Sequence, residues 1–225
     1  TITYGGSCSS SDNSSSASNN TITFNALSDD TYSDCTITVT DSAGNASNAL
    51  SVNSFTIDTT GPILSEATAV STPATVSTPN YSFNTNEAGT ITYGGSCSSS
   101  TTSASSAGTK TVTFNALSDG TYDNCTITVA DASGNTSSAL TVTSFTIAVP
   151  PVLAEVTAVS TPTSDNTPDY TFSSNEAGTI SYGGSCGSSS SSSAISGNNT
   201  VTLTKSLDNS SGLSDGTYDN CTIRV

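Results

Sequence analysis

The sequence predicts an all-β protein built from tandem β-sandwich domains, and three observations carry that reading. One segment occurs three times. Ile2-Thr3-Tyr4-Gly5-Gly6-Ser7-Cys8 returns as Ile91-Thr92-Tyr93-Gly94-Gly95-Ser96-Cys97 and again as Ile180-Ser181-Tyr182-Gly183-Gly184-Ser185-Cys186, with Tyr4, Tyr93 and Tyr182 spaced 89 residues apart. A period of that length is too long for a solenoid repeat and matches one independently folded domain. Second, Ser and Thr make up roughly two-fifths of the chain, and Thr alternates with Ile, Val or Phe in short runs. Such runs are strand material, and no stretch sustains a 3.6-residue period among strong helix formers. Third, the six cysteines fall two to a copy.

The copies divide the chain into 1–61, 62–149 and 150–225, of which the middle one is complete. Ile63 to Val70 opens it as a short edge strand between Pro62 and Pro73. Asn80 to Thr85 follows, and Asn86-Glu87-Ala88-Gly89 turns the chain into Thr90 to Tyr93. This pair reads as a hairpin with Tyr81, Phe83, Ile91 and Tyr93 at period-2 positions. After a Ser/Thr-rich loop, Lys110 to Phe114 places Val112 and Phe114 on one face. Leu117-Ser118-Asp119-Gly120 leads into Tyr122 to Val129, where Cys125, Ile127 and Val129 share a face. Asp131-Ala132-Ser133-Gly134-Asn135 is a second turn, before Leu140, Val142, Phe145 and Ile147. Six or seven short strands separated by frequent turn signals indicate a β-sandwich.

Composition removes several function classes. Three Lys and Arg stand against 18 Asp and Glu, for a formal net charge of −15. Nucleic-acid binding and attraction to anionic membranes both rest on basic residues, so neither fits. No apolar run approaches the length of a membrane span. Histidine is absent. That removes the usual general base and metal ligand, and no motif around Lys110 or Lys205 suggests a substitute. Glu87, Glu176 and Asp119 lie in repeat-equivalent turns, where carboxylates are more simply structural than catalytic. The chain reads as a non-enzyme.

The repeat makes pairing within each copy economical: Cys8 with Cys35, Cys97 with Cys125, Cys186 with Cys221. Parity points Cys97 and Cys125 inward. A bridge there would join the two sheets, or tie the segment after the first pair of strands to the penultimate strand. The alternative is three pairs of buried thiols. A lean Ser/Thr-rich core favours disulfides, each stabilising its copy by roughly 3 kcal/mol. Zinc is disfavoured, because two cysteines per copy without histidine cannot complete a four-ligand site.

Leu117-Ser118-Asp119-Gly120-Thr121-Tyr122, Asp131-Ala132-Ser133-Gly134-Asn135 and Phe145-Thr146-Ile147 resemble the last strands of bacterial immunoglobulin-like (Big-type) repeats. In the first copy, Asp41-Ser42-Ala43-Gly44-Asn45 and Phe55-Thr56-Ile57-Asp58-Thr59-Thr60-Gly61-Pro62 are similar to the module junctions of large extracellular adhesins. The resemblance covers essentially the whole chain. It implies immunoglobulin-like sandwiches in an extended rod, at the cell surface or outside the cell. One departure concerns tyrosine. In antibody-like domains a Tyr lies two residues before the second Cys, whereas Tyr32, Tyr122 and Tyr218 lie three before it. That offset puts Tyr and Cys on opposite faces unless a bulge intervenes.

The same resemblance implies calcium at the first junction, with Asp41, Asn45 and Asp58 as oxygen ligands that stiffen it. The plainer alternative is that Asp-x-x-Gly-Asn is only a turn. The second copy keeps Asp131 and Asn135, but Ala148 replaces Asp58 and the linker becomes Ala148-Val149-Pro150-Pro151.

The Ser-rich stretches Ser98 to Gly108 and Ser185 to Gly197, and the insertion Lys205 to Gly212, read as flexible solvated loops. O-glycosylation or lateral contact between arrays is the functional alternative. Sequons such as Asn45-Ala46-Ser47, Asn80-Tyr81-Ser82 and Asn135-Thr136-Ser137 are expected by chance in such a composition. The expected function is a structural segment of an extracellular filament or stalk. The alternative is an adhesin segment gripping a glycan or protein through its loops, but no Trp offers a sugar platform. Aligned on the middle copy, Thr1 matches Thr90 and Val225 matches Val129. The first copy therefore lacks the counterparts of Ile63–Val70 and Asn80–Thr85, and the third lacks that of Leu140–Ile147. Neighbouring polypeptide is expected to cover both ends, as further copies continued covalently or as strands from another subunit. Continuation implies about 50 residues between Val225 and the next Thr1-like position.

Overall fold

The computed structural model describes residues 1–188, 191–205 and 211–225. Every regular element among them is a β-strand. The chain forms two compact units, Thr1–Ala148 and Val149–Val225, the first holding two copies of the repeat. Parts of the third copy's Ser-rich loop and of its insertion lie outside the described residues.

The first copy contributes β1 (Ile2–Gly5), β2 (Asp30–Tyr32), β3 (Thr36–Val39), β4 (Leu50–Ser51) and β5 (Phe55–Ile57). They form the antiparallel sheet β1-β3-β4 and the pair β2-β5. The second copy contributes β6 (Leu64–Thr68), β7 (Asn80–Thr85), β8 (Gly89–Gly94), β9 (Ser103–Ala104), β10 (Gly108–Thr113), β11 (Gly120–Tyr122), β12 (Thr126–Ala130), β13 (Leu140–Thr141) and β14 (Phe145–Ile147). Its sheets are β10-β7-β6 and β13-β12-β8-β9, with the pair β11-β14 beside them. Tyr81, Phe83, Val112 and Phe114 point inward from the first region, and Ile91, Ile127, Val129 and Phe145 meet them; all are at most 3 % exposed. Alternating Thr residues face outward. This arrangement is consistent with a β-sandwich.

Two features differ from the sequence expectation. β7 and β8 are not a hairpin: β7 pairs with β6 and β10, whereas β8 pairs with β12 and β9. Asn86 to Ala88 is a corner between sheets. Thr85 Oγ1 donates to the Glu87 carbonyl at 2.8 Å, and Asn86 Oδ1 accepts the Ile63 amide at 2.6 Å. Period-2 alternation shows which face is buried but not which strand lies alongside, and two strands facing one core from opposite sheets alternate like a hairpin. Likewise Tyr122 to Val129 is two strands, β11 pairing with β14 and β12 with β8 and β13. The break at Asp123 to Cys125 changes sheets. It lets Tyr32 and Cys35, which fill the same places in the first copy, both turn inward.

The second unit contains β15 (Leu153–Thr157), β16 (Asp169–Ser174), β17 (Gly178–Thr179), β18 (Ser181–Gly183), β19 (Cys186–Ser188), β20 (Ser193–Ala194), β21 (Gly197–Lys205) and β22 (Thr222–Arg224). They form the sheet β15-β16-β21-β19 and the pairs β17-β20 and β18-β22. Its core is Phe172, Ile180, Ala194, Val201 and Leu203.

Candidate functional site

The thrice-repeated Tyr-Gly-Gly-Ser-Cys segment builds a staple. Disulfides join Cys8 to Cys35, Cys97 to Cys125 and Cys186 to Cys221, with Cα atoms 5.2–5.3 Å apart. In the middle copy Cys97 follows β8 and Cys125 precedes β12, and those strands are ladder partners. The bridge therefore ties the segment after β8 to the start of β12 rather than joining the two facing sheets. The two glycines make this approach possible. Gly95 has φ +72°, and a Cβ there would lie 2.0 Å from the Asn124 carbonyl oxygen; one on Gly94 would lie 2.5 Å from Thr126 Oγ1. The following serine is held too. Ser96 N donates to Asn124 Oδ1 at 3.1 Å, as Ser7 N does to Asp34 Oδ1 and Ser185 N to Asn220 Oδ1. Hydrogen bonds from Ser7 hold the Asp34 carboxyl below its ordinary range.

The tyrosine of the segment anchors the Ser-rich loop. Tyr93 donates to the Thr101 carbonyl at 2.5 Å, Tyr182 to that of Ser191 at 2.8 Å, and Tyr4 to that of Asp12. A loop that reads as low-complexity linker is thereby pinned at one point in each copy. The second tyrosine, Tyr32, Tyr122 or Tyr218, donates back to the carbonyl four residues upstream, at Ser28, Ser118 or Ser214.

The junction between the first two copies holds the acidic site. Carboxylate oxygens of Asp58, Glu87 and Asp131 all lie within 4.8 Å of one another, and all three residues are half-buried. Each comes from a different segment: the linker after β5, the corner between β7 and β8, and the turn after β12. Ser133 Oγ donates to Asp58 Oδ2 at 2.9 Å, and Asn135 Nδ2 donates to the Asp58 carbonyl at 3.1 Å. Asp131 accepts from Asn135 N at 2.9 Å and from its Nδ2 at 3.0 Å. Burial works against ionisation of Asp131, yet the Asn135 bonds hold its carboxyl below the ordinary range. Gly61 closes the junction, since a Cβ there would fall 2.7 Å from the Thr136 carbonyl oxygen.

Asp58 thus meets Asp131 and Glu87, not Asp41 and Asn45. Those two close their own turn, with Asn45 N and Nδ2 donating to Asp41 at 2.8 and 3.0 Å. The reason is directional. The equivalent turn in the second copy lies beside Gly61, where that copy begins, while the strand before each linker ends at the opposite pole. Proximity in sequence between Asn45 and Asp58 is therefore not proximity in space. In sequence Glu87 reads as a turn residue, and only the fold brings it to the junction.

Calcium binds oxygen at about 2.3–2.6 Å, so two of its ligands can stand up to about 5 Å apart. The three carboxylates fit that limit. Calcium takes six to eight oxygens, so solvent would supply part of the shell. Three like charges this close repel by about 1 kcal/mol per pair even in a water-like dielectric, which a cation relieves. No protein-family model, curated protein or solved structure matches the chain.

Proposed function

We propose that the chain is a structural segment of an extracellular filament or cell-surface stalk, built from disulfide-stapled immunoglobulin-like repeats. The observation that carries this reading is the junction, where the linker leaving one copy is hydrogen-bonded into the Asp131–Asn135 turn of the next. A connection made this way resists bending, as a load-bearing segment requires. The strand order of the second copy supports the immunoglobulin-like assignment, with first, second and fifth strands in one sheet facing another built around β8 and β12. So does the tyrosine hydroxyl returned to the upstream backbone, a hallmark of such sandwiches. Three disulfides suggest an oxidising, extracellular setting. Calcium at Asp58, Glu87 and Asp131 would stiffen the junction further. Small-angle scattering of the chain and of Asp58→Ala, with and without calcium, tests the reading. The native chain should show a narrow spread of angles between its first two copies, and the variant a wider one. A glycan array on the same protein tests the adhesive alternative, and strong selective binding there would displace the structural role.

A further inference from the structure

The chain enters the second copy at Pro62 and leaves it at Ala148, and the copy's first and last segments lie side by side. Ala74 and Ile147 form a parallel bridge. There Ala74 N donates to the Thr146 carbonyl at 2.8 Å, and Ala148 N donates to the Ala74 carbonyl at 2.9 Å. One step up, Thr146 N donates to Thr72 Oγ1 at 3.1 Å. Higher still, Thr143 donates to the Glu66 carboxylate through its amide at 3.0 Å and its hydroxyl at 2.8 Å. Beyond Glu66 the two segments part, and an open cleft lies between Ile63 and Leu64 on one side and Leu140 and Thr141 on the other. Residues 66, 72 and 74 thus meet 143, 146 and 147 in the same order, so the two segments run in parallel along the copy.

Direction decides what such contacts do under tension. The cleft end of the copy carries Pro62, and the Ala74 end carries Ala148. A pull along the chain draws the first segment back toward Pro62 and the last segment out toward Ala148. Parallel neighbours drawn this way slide past one another, and the bonds between them lie across the pull. Those bonds must give together. Had the segments been antiparallel, with both linkers at one pole, the same bonds would open one at a time from that end. The ladder of β6 with β7, from Leu64 opposite Thr85 to Thr68 opposite Ser82, also lies across the pull, so β6 is held on both sides.

We infer that this pairing is a shear clamp: the second copy withstands tension through the parallel contact of its first and last segments, and gives way in one step. The inference rests on the stalk reading for its purpose, and the two fail separately. A copy that peels open from its linker ends the clamp and leaves a stalk segment standing, while selective glycan binding would displace the stalk and leave the clamp intact.

The test is single-molecule stretching of the whole oxidised chain at constant force. The Cys97–Cys125 bridge keeps its 28-residue span from extending. Opening of residues 62–148 should therefore release about 60 residues, roughly 200 Å of chain. A Cys97→Ala/Cys125→Ala chain should lengthen that step alone by about 100 Å, which identifies it. Forced unfolding follows the unfolding rate rather than the equilibrium stability. Thr72→Val/Thr143→Val removes two hydroxyls of the clamp at exposed positions, where the fold should tolerate the change. Tyr93→Phe is the control, since its bond to the Thr101 carbonyl lies outside the clamp. The native copy should open in one step. The clamp variant should open at least tenfold faster at the same force, and Tyr93→Phe should stay within about twofold of the native rate. A native step split in two, with a short first extension as β6 peels away, overturns the inference. Equal opening rates for the clamp variant and the control overturn it too, because the tension is then borne elsewhere.

Discussion

Replacing Gly95 with alanine tests the account of the staple, with Gly134→Ala as its control. Both glycines have positive φ, +72° at Gly95 and +94° at Gly134. Both substitutions therefore carry the left-handed penalty, roughly 1–2 kcal/mol. If that penalty were the whole effect, Gly134→Ala would cost at least as much, since +94° lies further from the left-handed minimum. The surroundings separate the two. A Cβ at Gly134 meets nothing within 4 Å, whereas one at Gly95 sits 2.0 Å from the Asn124 carbonyl oxygen and 2.6 Å from its carbon. Relief requires the two backbones to part by about 1 Å beside a disulfide whose Cα atoms are 5.3 Å apart. Overpacking of that kind adds roughly 1–3 kcal/mol, for a total near 2–5. In a domain of this size each kcal/mol moves the melting temperature by about 4–8 °C. Thermal denaturation of the oxidised chain should thus show a clearly larger drop for Gly95→Ala. Hydrogen exchange at the Thr126–Ala130 amides should localise it to the β8–β12 ladder. Equal losses, or a larger one for Gly134→Ala, would refute the close-approach argument.

Three further outcomes follow from the same geometry. Calcium should raise the melting temperature of the native chain, and Asp58→Ala or Asp131→Ala should remove the effect while Asp41→Ala leaves it; a calcium response lost with Asp41 would place the ion at the wrong pole. Reduction of the Cys97–Cys125 bridge, 28 residues apart in sequence, should cost about 3.5 kcal/mol on the chain-entropy argument, read from denaturant titration with and without reductant. Partial burial opposes ionisation of Glu66, but bonds from Thr143 leave its carboxyl below the ordinary range. Its contribution is therefore present above the unfolded carboxyl range and fades as pH falls through the lower folded value. Thr143→Val should move acid unfolding to higher pH, and an unchanged acid midpoint would show that this contact contributes nothing.

Much of the fold was legible because its signal is local. Alternation at Tyr81 and Phe83, Ile91, Val112 and Phe114, and Ile127 and Val129 identifies the buried faces, and each of these residues is at most 3 % exposed. Strand partnership was not legible. Alternation is blind to which sheet a strand joins, so the corner at Asn86 to Ala88 reads as a hairpin turn. The acidic junction failed for a related reason. Asp58 and Asp131 are 73 positions apart and Glu87 sits between them in a different segment; nothing within a short window links the three. The loop anchors were hidden by composition, since Thr101 and Ser191 look like any other residue of a Ser/Thr-rich stretch. A tyrosine recurring at a fixed place ahead of each such stretch was the one available hint.

Because the chain repeats itself, it contains its own controls for what sequence alone decides. Gly-Thr-Tyr is a strand at residues 30–32 in the variant form Asp-Thr-Tyr and at 120–122, yet not at 216–218. Its intrinsic preference barely changes among the three, so the partner strand decides the outcome. Val39 and Val129 make the same point about burial. Both close a Thr-Ile-Thr-Val run within a strand, but Val39 is 36 % exposed and Val129 fully buried. The difference is the sheet β10-β7-β6, which faces Val129 and has no counterpart in the first copy. Strand formation and core burial in this repeat are therefore properties of the assembled set of strands.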